Sequence, residues 1–303
     1  MERKAKRSRV YVSVNSDAVD ASFGTKLEGL RQIVQDAACA MGDVGVIGDS
    51  ANDLPFLLEP GVKVAAAPSN AQSRVKTSLR ALNHGLILDG EGLEGFLQFY
   101  RHCRTVGVRL IVADRDGVLR WKNDELYLSA LGEIYKSMGA PDHPIVVVLT
   151  GSSAEQNFRF VSETFIDSSV AQNPKRDSLP PLIYAENGNV IVDIKLHSSH
   201  IREQSIAKNE ADLLLGPVRK LLLSELEREV LPRFGMSFTR DPTKQAMCVF
   251  LPPKSTMLTV NVPKTFLDGR FFRDSPEAEN FRILVGSAME SALRENGFEV
   301  ERL

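Results

Sequence analysis

Apolar residues in this chain fall into short continuous runs and helical stripes that alternate with one another. Arg9 to Val14 alternates like a strand. Thr25 to Met41 has helical spacing, with Thr25 as a candidate N-cap. Val44 to Ile47 reads as a short buried strand, and Asn52 to Leu58 opens a helix. Val62 to Ala66 is a further strand pattern, followed by helical patterns over Asn70 to Leu82 and Gly92 to Cys103. Then come a strand at Val108 to Ala113, a helix at Glu125 to Met138, a strand at Ile145 to Leu149 and a helix at Ser153 to Thr164. Strand and helix alternating at this spacing predict an α/β fold with a doubly wound, Rossmann-like parallel sheet.

The character changes near residue 170. Gln172 to Pro181 is a polar loop bearing proline. Leu182 to Ala185 and Val190 to Ile194 flank Glu186-Asn187-Gly188-Asn189, and Asn-Gly between apolar runs predicts a hairpin. A long leucine-rich helix is expected from Ala207 to Phe234, with Leu213, Leu214, Leu221, Leu222 and Leu226 as core. Met247 to Leu251 and Met257 to Val262 read as strands, Phe281 to Asn296 as a helix and Phe298 to Leu303 as a last strand.

Several predicted strands deliver polar residues at their C-terminal ends, where an open α/β sheet places its ligand. Asp49-Ser50-Ala51-Asn52-Asp53 follows the run ending at Ile47, and Asp114-Arg115-Asp116-Gly117 follows the run ending at Ala113. Four carboxylates on two strand tips suit a divalent metal and a phosphate, because hard oxygen ligands favour Mg²⁺. Asp114 is a candidate nucleophile, and Asp116, two residues on, a candidate acid/base. A surface turn is the ordinary reading of this motif. An EF-hand loop is excluded by Leu119 at the position that needs glycine, and by a strand in front. Asp49 and Asp53 also read as a helix cap. Thr150-Gly151-Ser152-Ser153, after Leu149, offers a hydroxyl and free N–H groups to phosphate, or simply caps a helix. Lys26, at a helix start, is either a solvated charge or the cation that neutralises a phosphoryl group.

Composition narrows the class. The 303 residues are 43% hydrophobic and 25% charged with net charge −2, which allows two packed domains and gives no general argument for nucleic acid. The basic start (Arg3, Lys4, Lys6, Arg7, Arg9) precedes no signal-length apolar stretch and reads as a solvated tail. No run approaches the roughly 18 apolar residues of a membrane span. Cys39, Cys103 and Cys248 have no zinc or disulfide spacing, so a reducing cytoplasm is expected. His84, His102, His143, His197 and His200 show no ligand spacing.

Taken together, four segments resemble the haloacid dehalogenase superfamily of phosphatases: ADRDGVL, VVVLTGS, GTKLEGL and GDSANDLPFL. VKVAAAPSNAQSRVK, and IYAENGNVIVD ahead of a large cap, are similar to the branch containing sucrose-phosphate and mannosyl-3-phosphoglycerate phosphatases. The clear resemblance covers residues 24 to 194. It implies a Mg²⁺-dependent phosphomonoesterase acting through an aspartyl-phosphate on a small phosphorylated metabolite. The substrate would be a sugar phosphate or glycosyl phosphoglycerate. By resemblance, Asp114 is the nucleophile and Asp116 the general acid/base. Thr150 with Gly151 and Lys26 hold the phosphoryl oxygens. The metal is held by the Asp114 carboxylate, the Asp116 backbone carbonyl and Asp49, with Asp53 behind its water shell and Asn52 near metal or phosphate. Val118 and Ser152 depart from the branch, which more often has threonine and arginine there. A phosphosugar mutase or a catalytically silent binding protein on the same fold stays open.

The order of the motifs is the larger departure. The family runs nucleophile, threonine, cap, lysine, metal; this chain runs lysine, metal, nucleophile, threonine, cap. Each motif occurs once, and moving residues 1 to 102 behind Leu303 restores the family order. A circular permutation follows, its rival being a fusion of the end of one such protein to the start of another. The expected domains are a catalytic core at 24–194, an α+β cap built from 195–303 plus 9–23, and a basic tail at 1–8. The first strand would join the cap sheet, or swap into a second protomer. The cap would position the leaving group, with Arg240, Lys244, Lys254, Arg270 and Arg273 as candidate anion contacts or ordinary surface charges.

Overall fold

The computed structural model describes residues 9–15, 18–120, 127–138, 140, 142–161, 182–193, 198–201, 208–239, 249–250, 254, 256–263, 266–267, 270–272 and 275–303. The tail at 1–8, the loop from Gln172 to Pro181, and Arg240, Lys244, Arg273 and Cys248 lie outside them. So do the expected helix ends at Glu125 and Thr164 and parts of the strand expected at Met247 to Leu251. The chain divides into two compact units, residues 25–200 and residues 1–24 with 201–303.

The described chain opens with an antiparallel pair, β1 (Arg9–Val14) and β2 (Ala18–Ser22). Helix α1 (Lys26–Asp36) begins with a capping box. The Thr25 side chain accepts from the Glu28 N–H, and the Glu28 carboxylate accepts from the Thr25 N–H at 2.7 Å. Its buried residues Lys26, Gly29, Leu30, Ile33 and Val34 make one stripe. The helix stops short of the expected Met41. Ala38 takes φ 46°, a left-handed stop that a glycine would normally announce.

Next come β3 (Val44–Ile47), the short α2 (Leu54–Leu57), β4 (Val64–Ala67), α3 (Ser73–Arg80), β5 (Gly85–Ile87) and α4 (Gly92–Thr105). After these follow β6 (Leu110–Ala113), α5 (Leu128–Ser137), β7 (Ile145–Leu149), α6 (Ala154–Val161), the hairpin β8 (Leu182–Ala185) and β9 (Val190–Asp193), and β10 (Ser198–Ile201).

The sheet order is β10-β9-β8-β7-β6-β3-β4-β5, and every pairing from β8 to β5 is parallel. Apolar residues of α1, α2 and α3 pack with Val44, Val46, Leu110, Val112 and Val147 in one core. On the other face, Gly45 meets Phe99 and Cys103 of α4. The sheet is thus covered on both sides, and this is why β3 and β6 are buried along their whole length. The chain moves outward from β3 through β4 to β5, returns to β6 beside β3, and moves out the other way through β7 and β8. The reversal lies between β3 and β6, where ligands of such sheets bind beyond the carboxyl ends.

The second unit continues with α7 (Lys208–Glu225), β11 (Phe238–Thr239), β12 (Val249–Phe250), β13 (Met257–Asn261), the pair β14 (Phe266–Leu267) and β15 (Arg270–Phe271), α8 (Pro276–Glu295) and β16 (Glu299–Arg302). The leucine-rich helix does not run on to Phe234 as one α-helix. It passes into a wider turn at Leu226–Val230 and a tighter one at Leu231–Phe234, and ends on Gly235 at φ 63°. α8 starts earlier than its apolar stripe, at Ser275 as N-cap and Pro276 in the first turn.

Among the described residues, six strands form its sheet in the order β11-β12-β13-β2-β1-β16. Val10, Val12, Val19, Ala21, Leu258 and Val260 point to one face and share a core with Leu222, Leu226, Phe281, Val285 and Met289. The first strand pairs in parallel with the last, Arg9 beside Glu299 and Val12 beside Arg302. Among the described residues, no helix is long and apolar enough to cross a membrane. Cys39 and Cys103 are free thiols.

Candidate active site

The β3 and β6 tips stand side by side, with Ile47 opposite Ala113 and the Asp114 N–H donating to the Ile47 carbonyl at 3.0 Å. Asp49 and Asp114 therefore emerge next to each other, although the loops carrying them are far apart in sequence. One carboxylate oxygen each from Asp49, Asp53 and Asp114 lies within 4.8 Å of the others. Lys26, 2% exposed, adds its ammonium to this group. Its Nζ is 2.5 Å from Asp53 Oδ1 and 2.9 Å from Asp114 Oδ1, and it lies 5.9 Å from the centre of the Phe56 ring.

Two glycines make room for this crowding. A Cβ on Gly117 would lie 2.1 Å from Asp49 Oδ2, and Gly117 also holds φ 80°. A Cβ on Gly48 would lie 2.6 Å from the Asp53 Cβ. Asp53 is fully buried and ties the loop together. Its Oδ2 accepts from the Asp49 N–H at 3.0 Å, the Ser50 N–H at 2.9 Å and the Ser50 hydroxyl at 3.0 Å. It is thus both a loop cap and part of the acidic group, so the two readings of its sequence position coexist. Asn52 stays local, accepting a short hydrogen bond from the Ser50 hydroxyl.

Three carboxylates around one ammonium leave an excess of negative charge. Burial raises Asp49, and Asp53 and Asp114 raise it further. Burial also raises Asp114 against the opposing pull of Lys26. Burial would strip the proton from Lys26, but Asp114 and Asp53 outweigh it and hold the ammonium charged well above the ordinary lysine value. With all three carboxyls ionised the surplus equals the charge of one divalent cation, and the donors are hard oxygens, so the residues fit Mg²⁺.

Asp116 stands outside this cluster. Past Asp114 the chain turns at Gly117, and the Asp116 side chain is 52% exposed. Its Oδ2 accepts from Arg115 Nη2 at 2.6 Å, from Arg115 Nε at 3.2 Å and from the Ser152 hydroxyl at 3.2 Å. Burial works against ionisation of this carboxyl, but Arg115 outweighs it, with help from the charge of Arg120 and the Ser152 hydroxyl. The acid is held below its ordinary value.

The Ser152 contact brings the β7 tip to the acidic segment. Thr150, 1% exposed, donates its N–H to the Tyr184 carbonyl at 2.9 Å and accepts at its hydroxyl from the Ser152 N–H at 3.2 Å. Gly151 lies beside the Asn187 amide. The hairpin turn grips this loop from below. Glu186 N–H donates to the Ser152 carbonyl and Asn187 N–H to the Thr150 carbonyl, with both turn residues at positive φ. Gly188 also packs against Gly29 of α1, so one turn touches both the Thr150 loop and the helix that starts with Lys26.

Sequence reasoning passed over Arg115, Asn157, Asn70 and Gln72. The Asn70 amide donates to the Gly117 carbonyl at 2.9 Å, and its oxygen accepts from the Gly92 N–H. Gln72 donates its N–H to the Asp49 carbonyl and accepts from the Ala51 N–H at its side chain. Lys254, a candidate anion contact, lies 3.4 Å from Asp20 in the other unit and is largely buried there. A cavity of about 340 Å³ at the opposite, N-terminal ends of β6 and β7 is lined by Cys39, Arg104, Arg109 and His143. Its lining includes Asp142 but none of Asp49, Asp53, Asp114 and Asp116.

No protein-family model matches the chain, and no curated protein matches it. Among solved structures, the N-terminally truncated, IMP-bound IMP-nucleotidase of Plasmodium falciparum aligns with 13% identity and a TM-score of 0.31. The alignment covers 63% of this chain and 51% of that one, so this chain spans about half the length of that protein.

Proposed function

We propose that residues 25–200 carry a Mg²⁺-dependent phosphomonoesterase of the haloacid dehalogenase type, acting on a small phosphorylated metabolite. The observation that carries this reading is the meeting of Lys26, Asp49, Asp53 and Asp114 at the sheet's reversal point with a surplus of negative charge. Asp49, Asp114 and the Asp116 backbone carbonyl would hold the metal, with Asp53, whose oxygens are engaged by Lys26 and the loop donors, behind its water shell. When bound, Mg²⁺ supplies positive charge opposite the phosphoryl oxygens.

The side chains have distinct tasks. Oδ1 of Asp114 is engaged by Lys26 and by the Arg115 N–H at 2.8 Å. That leaves Oδ2 to attack phosphorus. Lys26 offsets the charge that gathers on the phosphoryl group. The Thr150 hydroxyl and the Gly151 N–H bind the phosphoryl oxygens. The bond to the leaving oxygen breaks, and that oxygen takes a proton from the minor protonated form of Asp116, which Arg115 otherwise holds ionised. Water then attacks the aspartyl-phosphate, giving its proton to Asp116 and returning the electron pair to Asp114.

The substrate class, a sugar phosphate or glycosyl phosphoglycerate, comes from the sequence resemblance. So does the reading of the second unit as a cap and of the motif order as a circular permutation. The first and last strands are neighbours in one sheet. Their parallel pairing means that a join between them runs back along the sheet and is not a hairpin.

Phosphate release from an aryl phosphate, with and without Mg²⁺, tests the proposal. Release should need the metal and should vanish in Asp114→Asn while the fold persists. Full activity in that variant would refute the assignment. Phosphate exchange between positions of a sugar, without release, would indicate a mutase.

A further inference from the structure

Arg115 separates the two acids of its segment, and the reaction described above gives its side chain no task. That side chain is 4% exposed, and its donors are committed. Nη1 donates to Asn157 Oδ1 at 3.0 Å, Nη2 to the Ser152 hydroxyl at 2.8 Å and to Asp116 Oδ2 at 2.6 Å, and Nε to the same Asp116 oxygen. The Phe160 ring lies 5.5 Å from the guanidinium carbon. Asn157 is itself fully buried and anchored, its amide donating to the Ser153 carbonyl at 2.8 Å.

Stability alone does not account for this arrangement. Apolar side chains often replace a buried charged network at no cost. What the network fixes is Asp116, whose side chain is half open and would otherwise turn freely. The guanidinium and the Ser152 hydroxyl give its carboxylate one orientation.

We propose that Arg115 is a positioning residue for the hydrolytic half of the reaction. It aims the Asp116 carboxylate as the base that receives the proton of the attacking water. The water oxygen bonds to phosphorus, the bond from phosphorus to the Asp114 oxygen breaks, its electron pair stays on Asp114, and inorganic phosphate leaves. This inference rests on the phosphatase reading above.

The test uses the full chain with Mg²⁺ and p-nitrophenyl phosphate, whose leaving group departs without a proton. For this substrate the first half-reaction should not depend on Arg115, and the second should. Arg115→Met should lower kcat by about 100-fold, the scale of a lost acid/base contribution. Its kcat/KM should stay within about threefold, so that KM falls with kcat. A burst of nitrophenol near one equivalent and a hydroxylamine-labile phosphoenzyme should accompany this. Arg115→Lys should restore part of kcat. Ser152→Ala, which removes one contact and keeps the charge, should shift kcat in the same direction by a smaller factor.

A parallel fall in kcat and kcat/KM without a burst would overturn the proposal and leave the phosphatase standing. If Arg115→Met loses its cooperative unfolding transition, Arg115→Lys and Ser152→Ala decide, and wild-type kinetics in both overturns it. If the unaltered protein releases no phosphate from any phosphomonoester, the reading of the whole site falls and this inference with it.

Discussion

Lys26 Nζ and Asp114 Oδ1 stand 2.9 Å apart, yet one residue opens the first helix of its unit and the other follows a strand near the middle of the chain. The contact is almost dry, with the two side chains 1% and 7% exposed. A charged pair in such a setting costs desolvation, and it holds only while both partners are present.

Lys26→Met should therefore destabilise the metal-free protein by roughly 3–5 kcal/mol, the usual cost of leaving a buried charge without its partner. Three carboxylates would then face one another without the ammonium. Urea unfolding in EDTA measures the loss. Mg²⁺ should recover a larger part of the stability in this variant than in the unaltered chain. Equal recovery in both would mean that lysine and metal do not act on the same charges.

Gly117→Ala is a test of space. The new methyl would fall 2.1 Å from Asp49 Oδ2, and φ 80° is strained for any side chain. The backbone cost is about 1–2 kcal/mol. Displacement of Asp49 should also weaken Mg²⁺ activation at least about tenfold, equivalent to about 1.4 kcal/mol. Titrating activity against Mg²⁺ reads this directly. Gly42→Ala is the control, since no atom lies within 4 Å of its Cβ.

Stability should depend on pH in a direction set by Asp49, pushed up to about 8 by burial and then by Asp53 and Asp114. In the metal-free chain the folded state keeps this proton up to about pH 8, while the unfolded state releases it near pH 4. The folded state binds more protons between those values, so its stability falls as pH rises. Melting curves in EDTA from pH 5 to pH 8 should show Tm declining. Saturating Mg²⁺ should flatten the slope, because a bound cation keeps the carboxylates ionised at every pH. A rising Tm in EDTA would place the surplus charge elsewhere.

Asp53→Asn separates the two tasks of that residue. The amide oxygen can still accept from the loop N–H groups, but the negative charge facing Lys26 is gone. The loop should stay folded, with unfolding within about 1–3 kcal/mol of the unaltered protein, the range for disturbing one buried hydrogen-bonded group. Phosphate release at limiting Mg²⁺ should fall more than release at saturating Mg²⁺. An equal loss at both concentrations would remove Asp53 from the metal group.

Much of the parallel sheet was readable because buried strands leave unbroken apolar runs, as at Val44 to Ile47 and Ile145 to Leu149. The Thr25–Glu28 capping box marked the start of α1. Other features left weaker traces. β2 and β5 are short and lack a distinctive run. The start of α8 was signalled by Ser275-Pro276, but the apolar spacing begins only at Phe281. The stop at Ala38 has no glycine to announce it.

At the site, carboxylates on strand tips were visible, because strand ends and acidic residues both show in one dimension. Arg115 was not. A charged residue between two acids reads as a surface turn, and its burial depends on Asn157, Ser152 and Phe160 arriving from another strand and helix. Asn70 and Gln72 were hidden for the same reason, since their partners at Gly117, Gly92, Asp49 and Ala51 are tertiary.

The pairing of β1 with β16 has a consequence for biogenesis. Residues 25–200 form one uninterrupted stretch, so that unit has all its strands once the ribosome has passed its end. The other sheet has to wait: its opening hairpin is made first but meets β13 and β16 only after more than two hundred further residues have emerged. Until then Val10, Val12, Val19 and Ala21 lack the helices that cover them, and the nascent chain carries an apolar ribbon of the kind chaperones hold.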